Sequence, residues 1–312
     1  MPNNYGFRSR DMAKAAKFAM FDEARERGNG YGAAATVADN FSQFAKFAKE
    51  NGVKWLEQVD RELVESYGRE LAQRVERGEL AAATAHNYIS SVNTVMKVVT
   101  RGNWESVSAT KDCGVPERSA IRETPINSID RELVNLAVKA VSEKVSERAA
   151  AIVELARDLG LRSKEASLLD AQRAFKEAIQ TGKVTIEAGT KGGRIREVPI
   201  TNERQLETLQ KAAEAQGNAR AVMSPDKNWK NWRYGELRAA REIVQGVTGD
   251  RGLHDLRAAY AAERYEQLTG VSAPVMTDER APKEIDREAR LTIAEELGHG
   301  RWEITNEYLG RW

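Results

Sequence analysis

The sequence predicts a mainly α-helical protein of two domains, with one small β-hairpin in the second. Three observations carry this. The 312 residues exceed what one small core serves comfortably. The first hundred residues alternate apolar helical periodicity with Gly-containing breaks. Two short β-type runs, Lys183 to Ile186 and Ile195 to Ile200, flank the turn Thr190-Lys191-Gly192-Gly193.

In the first domain, helices are expected over 10–27, 36–50, 60–77 and 81–100, stopped at Gly28-Asn-Gly30, Asn51-Gly52 and Gly78. The fourth buries Ile89, Val92, Met96 and Val99, spaced three and four apart. Its other side carries Asn87, Ser90, Ser91, Thr94, Lys97 and Arg101, and no Asp or Glu occurs from Leu80 to Trp104. Small polar donors and bases without acids suit a helix laid on a DNA backbone, although this segment by itself reads more simply as a solvated face. Asn87, Ser91, Thr94, Lys97 and Arg101 are the candidate contacts. His86 reads as a satisfied surface histidine.

Gly114, Pro116 and Pro125 break periodicity after Gly102, so domain one is placed at 1–110, a linker at 111–127 and domain two at 128–312. Ser128 is placed to cap a helix running to about Ser142. The Ala-rich stretch Glu147 to Leu159 makes the next helix, stopped by Gly160, with Arg162 just beyond it. Helices return from Gln205 and from Trp229 to Val244, and Trp229, Trp232 and Trp302 read as packing anchors.

Composition narrows the function. No apolar run reaches the ~20 residues of a membrane span, and no signal-type apolar region opens the chain, so a cytoplasmic location is expected. The lone Cys113 cannot form an intrachain disulfide. A net charge of +1 means that any nucleic-acid contact must come from charge gathered on one face.

The chemistry-bearing residues lie in the second domain. His254-Asp-Leu-Arg257 follows Gly252, and three-residue spacing puts the imidazole and guanidinium on one helical face. Leu297-Gly-His299 comes next, and Tyr308 stands nine residues after His299. Attack on a phosphodiester without a metal needs fixed cations, hydrogen-bond donors and a proton source, and a tyrosine hydroxyl can serve as a covalent nucleophile. The polar residues Thr305-Asn-Glu307 are expected to keep Tyr308 partly exposed.

Together, Gly160-Leu-Arg162-x-x-Glu165, Thr190-Lys-Gly-Gly-Arg194, His254-x-x-Arg257, Leu297-Gly-His299 and Tyr308 resemble the tyrosine recombinases, or phage integrases, in order and over 128–312. The resemblance implies a helical core-binding domain and a mixed α/β catalytic domain forming a C-shaped clamp on DNA. It implies that Arg162 and Arg257 grip the scissile phosphate and that His254 and His299 donate to it or move protons. Lys191 would protonate the leaving 5′-oxygen, Tyr308 would form a 3′-phosphotyrosine, and Glu165 would support the pocket. No metal and no cofactor are implied. The partners would be double-stranded DNA bearing a specific site and three further copies of the chain, a homotetramer on two duplexes. A type IB topoisomerase and a non-catalytic DNA-binding protein of this fold are the alternatives.

Three features depart from the family pattern. Residues 270–288, rich in charge and containing Pro274 and Pro282, lengthen the interval from Arg257 to His299 and are expected to be an exposed loop acting in assembly. Gln172 to Thr181 is a second extra stretch. With four residues after Tyr308, no C-terminal docking helix is expected.

Overall fold

The computed structural model describes residues 3–7, 9–28, 30–126, 130–249 and 252–312. They divide into two compact units, Met1–Ser119 and Ala120–Trp312.

Helices α1 (Met12–Glu26), α2 (Tyr31–Glu50), α3 (Arg61–Glu76) and α4 (Ala82–Val99) build the first unit. Side-chain caps set two of the starts: Asp11 accepts from the Lys14 amide and Asp60 from the Leu63 amide, each at 2.8 Å. The second helix begins at Tyr31, five residues before the expected start, because Ala34 is buried in the core and extends the packed face. Phe41, Phe44, Tyr67, Ile89 and Met96 centre that core.

The expected linker is only partly one. Val107, Cys113 and Val115 are buried in the first unit's core, and Asn93 of α4 ties the segment down. The Asn93 amide donates to the Val107 carbonyl at 2.8 Å, and its oxygen accepts from Val107 N at 2.9 Å and Trp104 Nε1 at 3.0 Å. The Gly and Pro residues here mark turns within a packed segment, and the division falls after Ser119. Ser128 lies outside the described residues, and Asp130 caps the helix that follows.

The second unit contains α5 (Arg131–Lys144), α6 (Glu147–Asp158), α7 (Ser163–Leu168), α8 (Ala171–Thr181), β1 (Lys183–Ile186), β2 (Arg196–Pro199), α9 (Glu203–Gln216), α10 (Trp229–Tyr234), α11 (Glu236–Thr248), α12 (Leu253–Thr269), α13 (Lys283–Glu296) and α14 (Asn306–Leu309). The strands pair antiparallel, Lys183 opposite Pro199 and Ile186 opposite Arg196. Helix α6 is the core element: Ala149 to Val153, Leu155 and Ala156 are all buried. Its buried Arg157 is neutralised by Glu263 of α12 at 2.5 and 2.9 Å. The extra stretch after Gln172 is α8, which buries Ala174 and Ala178. Trp232 is fully buried and donates to Ser167 Oγ at 3.0 Å.

Residues 270–288 are not an exposed loop. Ala273 and Ala281 are buried, Val275 and Met276 pack on the core, and a helix starts at Lys283. Only Asp278, Glu279 and Arg280 are strongly exposed between Val271 and Ala281. The segment is laid over the end of the chain: Val275 N donates to the Leu309 carbonyl and Trp312 Nε1 to the Ala281 carbonyl, both at 2.9 Å. Among the described residues no helix is long and apolar enough to cross a membrane.

Candidate active site

Five of the second unit's expected residues converge around Tyr308. Helix α6 ends at a left-handed Gly160 (φ +61°), where an added Cβ would lie 2.5 Å from Tyr260 Cδ1. Only glycine fits that turn, and it directs the chain so that Arg162 stands immediately before α7. The Glu165 carboxylate reaches back to Arg162, accepting from its amide and from Nη1 at 2.7 Å each.

Arg257 is 1% exposed on α12 and is the best-fixed group of the set. Its Nη1 donates to the Gly160 carbonyl and its Nη2 to the Leu297 carbonyl. Its Nε stands 3.4 Å from Tyr308 Oη, and Nη2 stands 3.4 Å from His299 Nε2. Burial pushes the Arg257 pKa down to about 10, which leaves it cationic near neutral pH.

His299 follows a left-handed Gly298 whose missing Cβ makes room for the Arg196 side chain, which would otherwise lie 2.9 Å away. Its Nε2 is 3.1 Å from Tyr308 Oη. Burial first, then Arg257, Arg162, Arg196 and Lys191, pull the His299 pKa down to about 3, so the ring is neutral near pH 7. His254 is exposed in the first turn of α12, with its ring 5.5 Å from that of Tyr308. Partial loss of water and the Arg257 charge lower its pKa as well.

Tyr308 is 2% exposed, contrary to the expectation of a partly exposed ring. The polar residues before it mislead, because Thr305 is itself buried and donates its hydroxyl to the Trp302 carbonyl at 2.6 Å. Lys191 stands apart from the packed cluster. It is exposed on the turn between β1 and β2, and its charge reaches the cluster only as one of the causes acting on His299.

Arg196 was missing from the expected set. It is buried on β2 and bonds Glu165 through both terminal nitrogens, while its Nε donates to the Glu296 carbonyl at 2.7 Å. Its inward parity with Val198 along the strand is the sequence signal that could have found it. With Arg162 and Arg196 as partners, Glu165 is held below the usual carboxylate range although burial pushes the other way. Among the described residues no group of three or more His, Cys, Asp or Glu side chains could hold a metal ion.

Residues 118–263 match the family model described as integrase. That stretch lies almost wholly within the second unit. The unit's fold is that of the tyrosine recombinases, as three solved structures show. XerH site-specific recombinase on its difH substrate is 18% identical, over 96% of this chain and 80% of its own, with a TM-score of 0.60. The Tn1549 transposon integrase on transposon right-end DNA is 11% identical over 95% of both chains (TM-score 0.56). A lambda integrase tetramer on a Holliday junction is 17% identical over 94% of this chain and 78% of its own (TM-score 0.53). No curated protein matches the sequence.

In the first unit, Asn87, Lys97 and Arg101 are exposed and Thr94 is half-buried. Ser91 is not on that face: it is 4% exposed, accepts from Asn40 at 3.1 Å and donates to the Asn87 carbonyl at 2.8 Å. Ser90 takes its place in the exposed stripe. The stripe is acid-free in sequence but not in space, since Asp22, Glu23 and Glu26 of α1 line the same hollow as Lys97 and Arg101. His86 is satisfied, its Nε2 lying 2.9 Å from the Pro116 carbonyl oxygen.

Proposed function

We propose that the protein is a site-specific DNA recombinase that cuts and rejoins duplex DNA through a 3′-phosphotyrosine. The observation carrying this reading is Tyr308 Oη held 3.1 Å from a neutral His299 and 3.4 Å from Arg257 Nε. A neutral imidazole can take the phenolic proton, and the Nε and Nη2 edge of Arg257 faces the place where phosphate charge would develop.

On this reading the scissile phosphate lodges between Arg162, whose side chain is 26% exposed, and Arg257, with His254 donating from the rim. Tyr308 Oη bonds to phosphorus as its proton passes to His299 Nε2. The bond from phosphorus to the 5′-oxygen breaks, and the Lys191 ammonium gives that oxygen a proton. The phosphotyrosine ester conserves the bond energy, so a 5′-hydroxyl from a second duplex reverses the steps without a nucleotide cofactor. Glu165 and Arg196 orient the arginines and do not react.

The partner is double-stranded DNA carrying a specific site. Four copies of the chain would exchange strands between two duplexes, as the tetrameric assembly of the similar lambda integrase suggests. The proposed activity fits a cytoplasmic location. The first unit would supply part of the DNA grip through Asn87, Ser90, Thr94, Lys97 and Arg101. The presence of both arginines and the tyrosine favours catalysis over a purely DNA-binding role.

A nicked suicide duplex tests the reading. The wild type should accumulate a 3′-linked adduct in excess EDTA, because protein cations carry the phosphate charge, and Tyr308→Phe should bind the duplex without forming it. Adduct from Tyr308→Phe, or magnesium-restored cleavage after chelation, would overturn the assignment. Relaxation of supercoiled plasmid whatever its sequence would indicate a type IB topoisomerase instead.

A further inference from the structure

The helix that carries Tyr308 has four residues, Asn306–Leu309, far too few to hold a helical position by itself. Its placement must come from outside, and the largest single source is Arg290 of α13. That side chain has no exposed surface. Its Nε donates to both Asp286 oxygens at 2.9 Å, Nη1 to Thr305 Oγ1 at 3.2 Å and Asn306 Oδ1 at 2.9 Å, and Nη2 to the Gly310 carbonyl at 3.1 Å. Tyr265 of α12 donates its hydroxyl to Asp286 at 2.8 Å and locks the carboxylate in turn.

The acceptors bracket the tyrosine: two precede it and one follows it. A planar guanidinium with five donors can hold both ends of a short segment at once, which a lysine cannot. Burying an ion pair brings little net stability over an apolar substitute, so stability alone is a weak reason for this network. Fixing one conformation is a better reason, since misplacing a reacting atom by about 1 Å can cost roughly 10²-fold in rate.

We propose that Arg290, itself oriented by Asp286, is a positioning residue for Tyr308. It clamps the tyrosine segment into the active site of its own chain through Thr305, Asn306 and Gly310, without touching substrate. The segment 270–288, which supplies Asp286 and the backbone contacts to Leu309 and Trp312, thereby acts within its own chain. The inference deepens the reading of Tyr308 as nucleophile and rests on it.

Single-turnover adduct formation at saturating protein separates this role from DNA binding. Arg290→Lys should lower the rate by about tenfold or more while duplex affinity stays within about twofold. A duplex with sulfur in place of the bridging 5′-oxygen, whose thiolate leaves without a proton, should recover none of the loss, because attack itself is impaired. Amide hydrogen exchange should quicken at 305–310 while 254–262 stays protected. Asn306→Ala, at a half-buried position, should reproduce part of the rate loss and decides the matter if Arg290→Lys does not fold. A variant that melts earlier yet forms adduct at the wild-type rate below its melting temperature would overturn the proposal, as would full recovery on the sulfur duplex. Failure of the nucleophile assignment would show separately, as adduct formed by Tyr308→Phe.

Discussion

Arg196 holds Glu165 by two parallel hydrogen bonds, Nη1 to Oε1 at 2.9 Å and Nη2 to Oε2 at 2.7 Å, with the two side chains 3% and 0% exposed. Through that carboxylate a strand residue fixes Arg162, and through the Glu296 carbonyl it fixes the approach to His299.

Arg196→Ala should therefore destabilise the second unit, by less than the roughly 3–5 kcal/mol of leaving a buried charge wholly unpaired, because Glu165 keeps its two bonds from Arg162. Replacing Arg196 and Glu165 together by Met should restore much of that stability but not cleavage, since Arg162 would still lack its anchor. The Glu165 carboxyl is depressed in the folded state, so its contribution is present above about pH 4.5 and is lost as pH falls through the folded value. Urea unfolding as a function of pH should show a steeper acid loss for the wild type than for the double variant. Equal slopes would mean that the pair contributes nothing.

His299 gives a second pH prediction with a different window. Its unfolded value lies near 6.5 and its folded value near 3, so folding favours the neutral ring, and stability is lost progressively as pH falls from about 6.5 toward 3. The His299 ring resonances of the free protein should stay flat between about pH 5 and 8, the range in which an unperturbed histidine titrates. A midpoint near 6.5 would mean that burial and the surrounding cations do not depress the ring, and that His299 makes no such contribution to stability.

The sequence reveals what is local and hides what is distant. Asp11 and Asp60 announce helix starts because the amides they cap lie three residues on, and His254 with Arg257 announces a shared face by its spacing. Arg196 and Arg290 act on partners brought near only by folding, Glu165 and the tyrosine segment: strand parity with Val198 is a local sign that Arg196 is buried, but nothing local names either partner. Residues 270–288 looked exposed because charge and proline were read without the chain end that covers them. Ser91 was legible in part, since it lies three after Tyr88 and four before Val95, inside a buried stripe wider than the one inferred.

The exposed stripe of α4 yields the remaining prediction, and its neighbours sharpen it. Lys97 and Arg101 project from one face, but Glu23 and Glu26 of α1 lie beside them and would repel a phosphate. Lys97→Glu and Arg101→Glu should weaken duplex binding and reduce the slope of log affinity against log salt by about one unit for each phosphate no longer neutralised. Glu26→Gln should do the reverse in affinity, because it removes a like charge from the path of the DNA backbone. Ser91→Ala is the internal control: it breaks the buried bond to Asn40, so it should lower stability by about 0.5–1.5 kcal/mol and leave the salt slope unchanged. Filter binding across a salt series, with thermal melts on the same samples, separates these effects. Unchanged affinity and slope in both charge-reversal variants would make this face a solvated one and move the DNA grip of the first unit elsewhere.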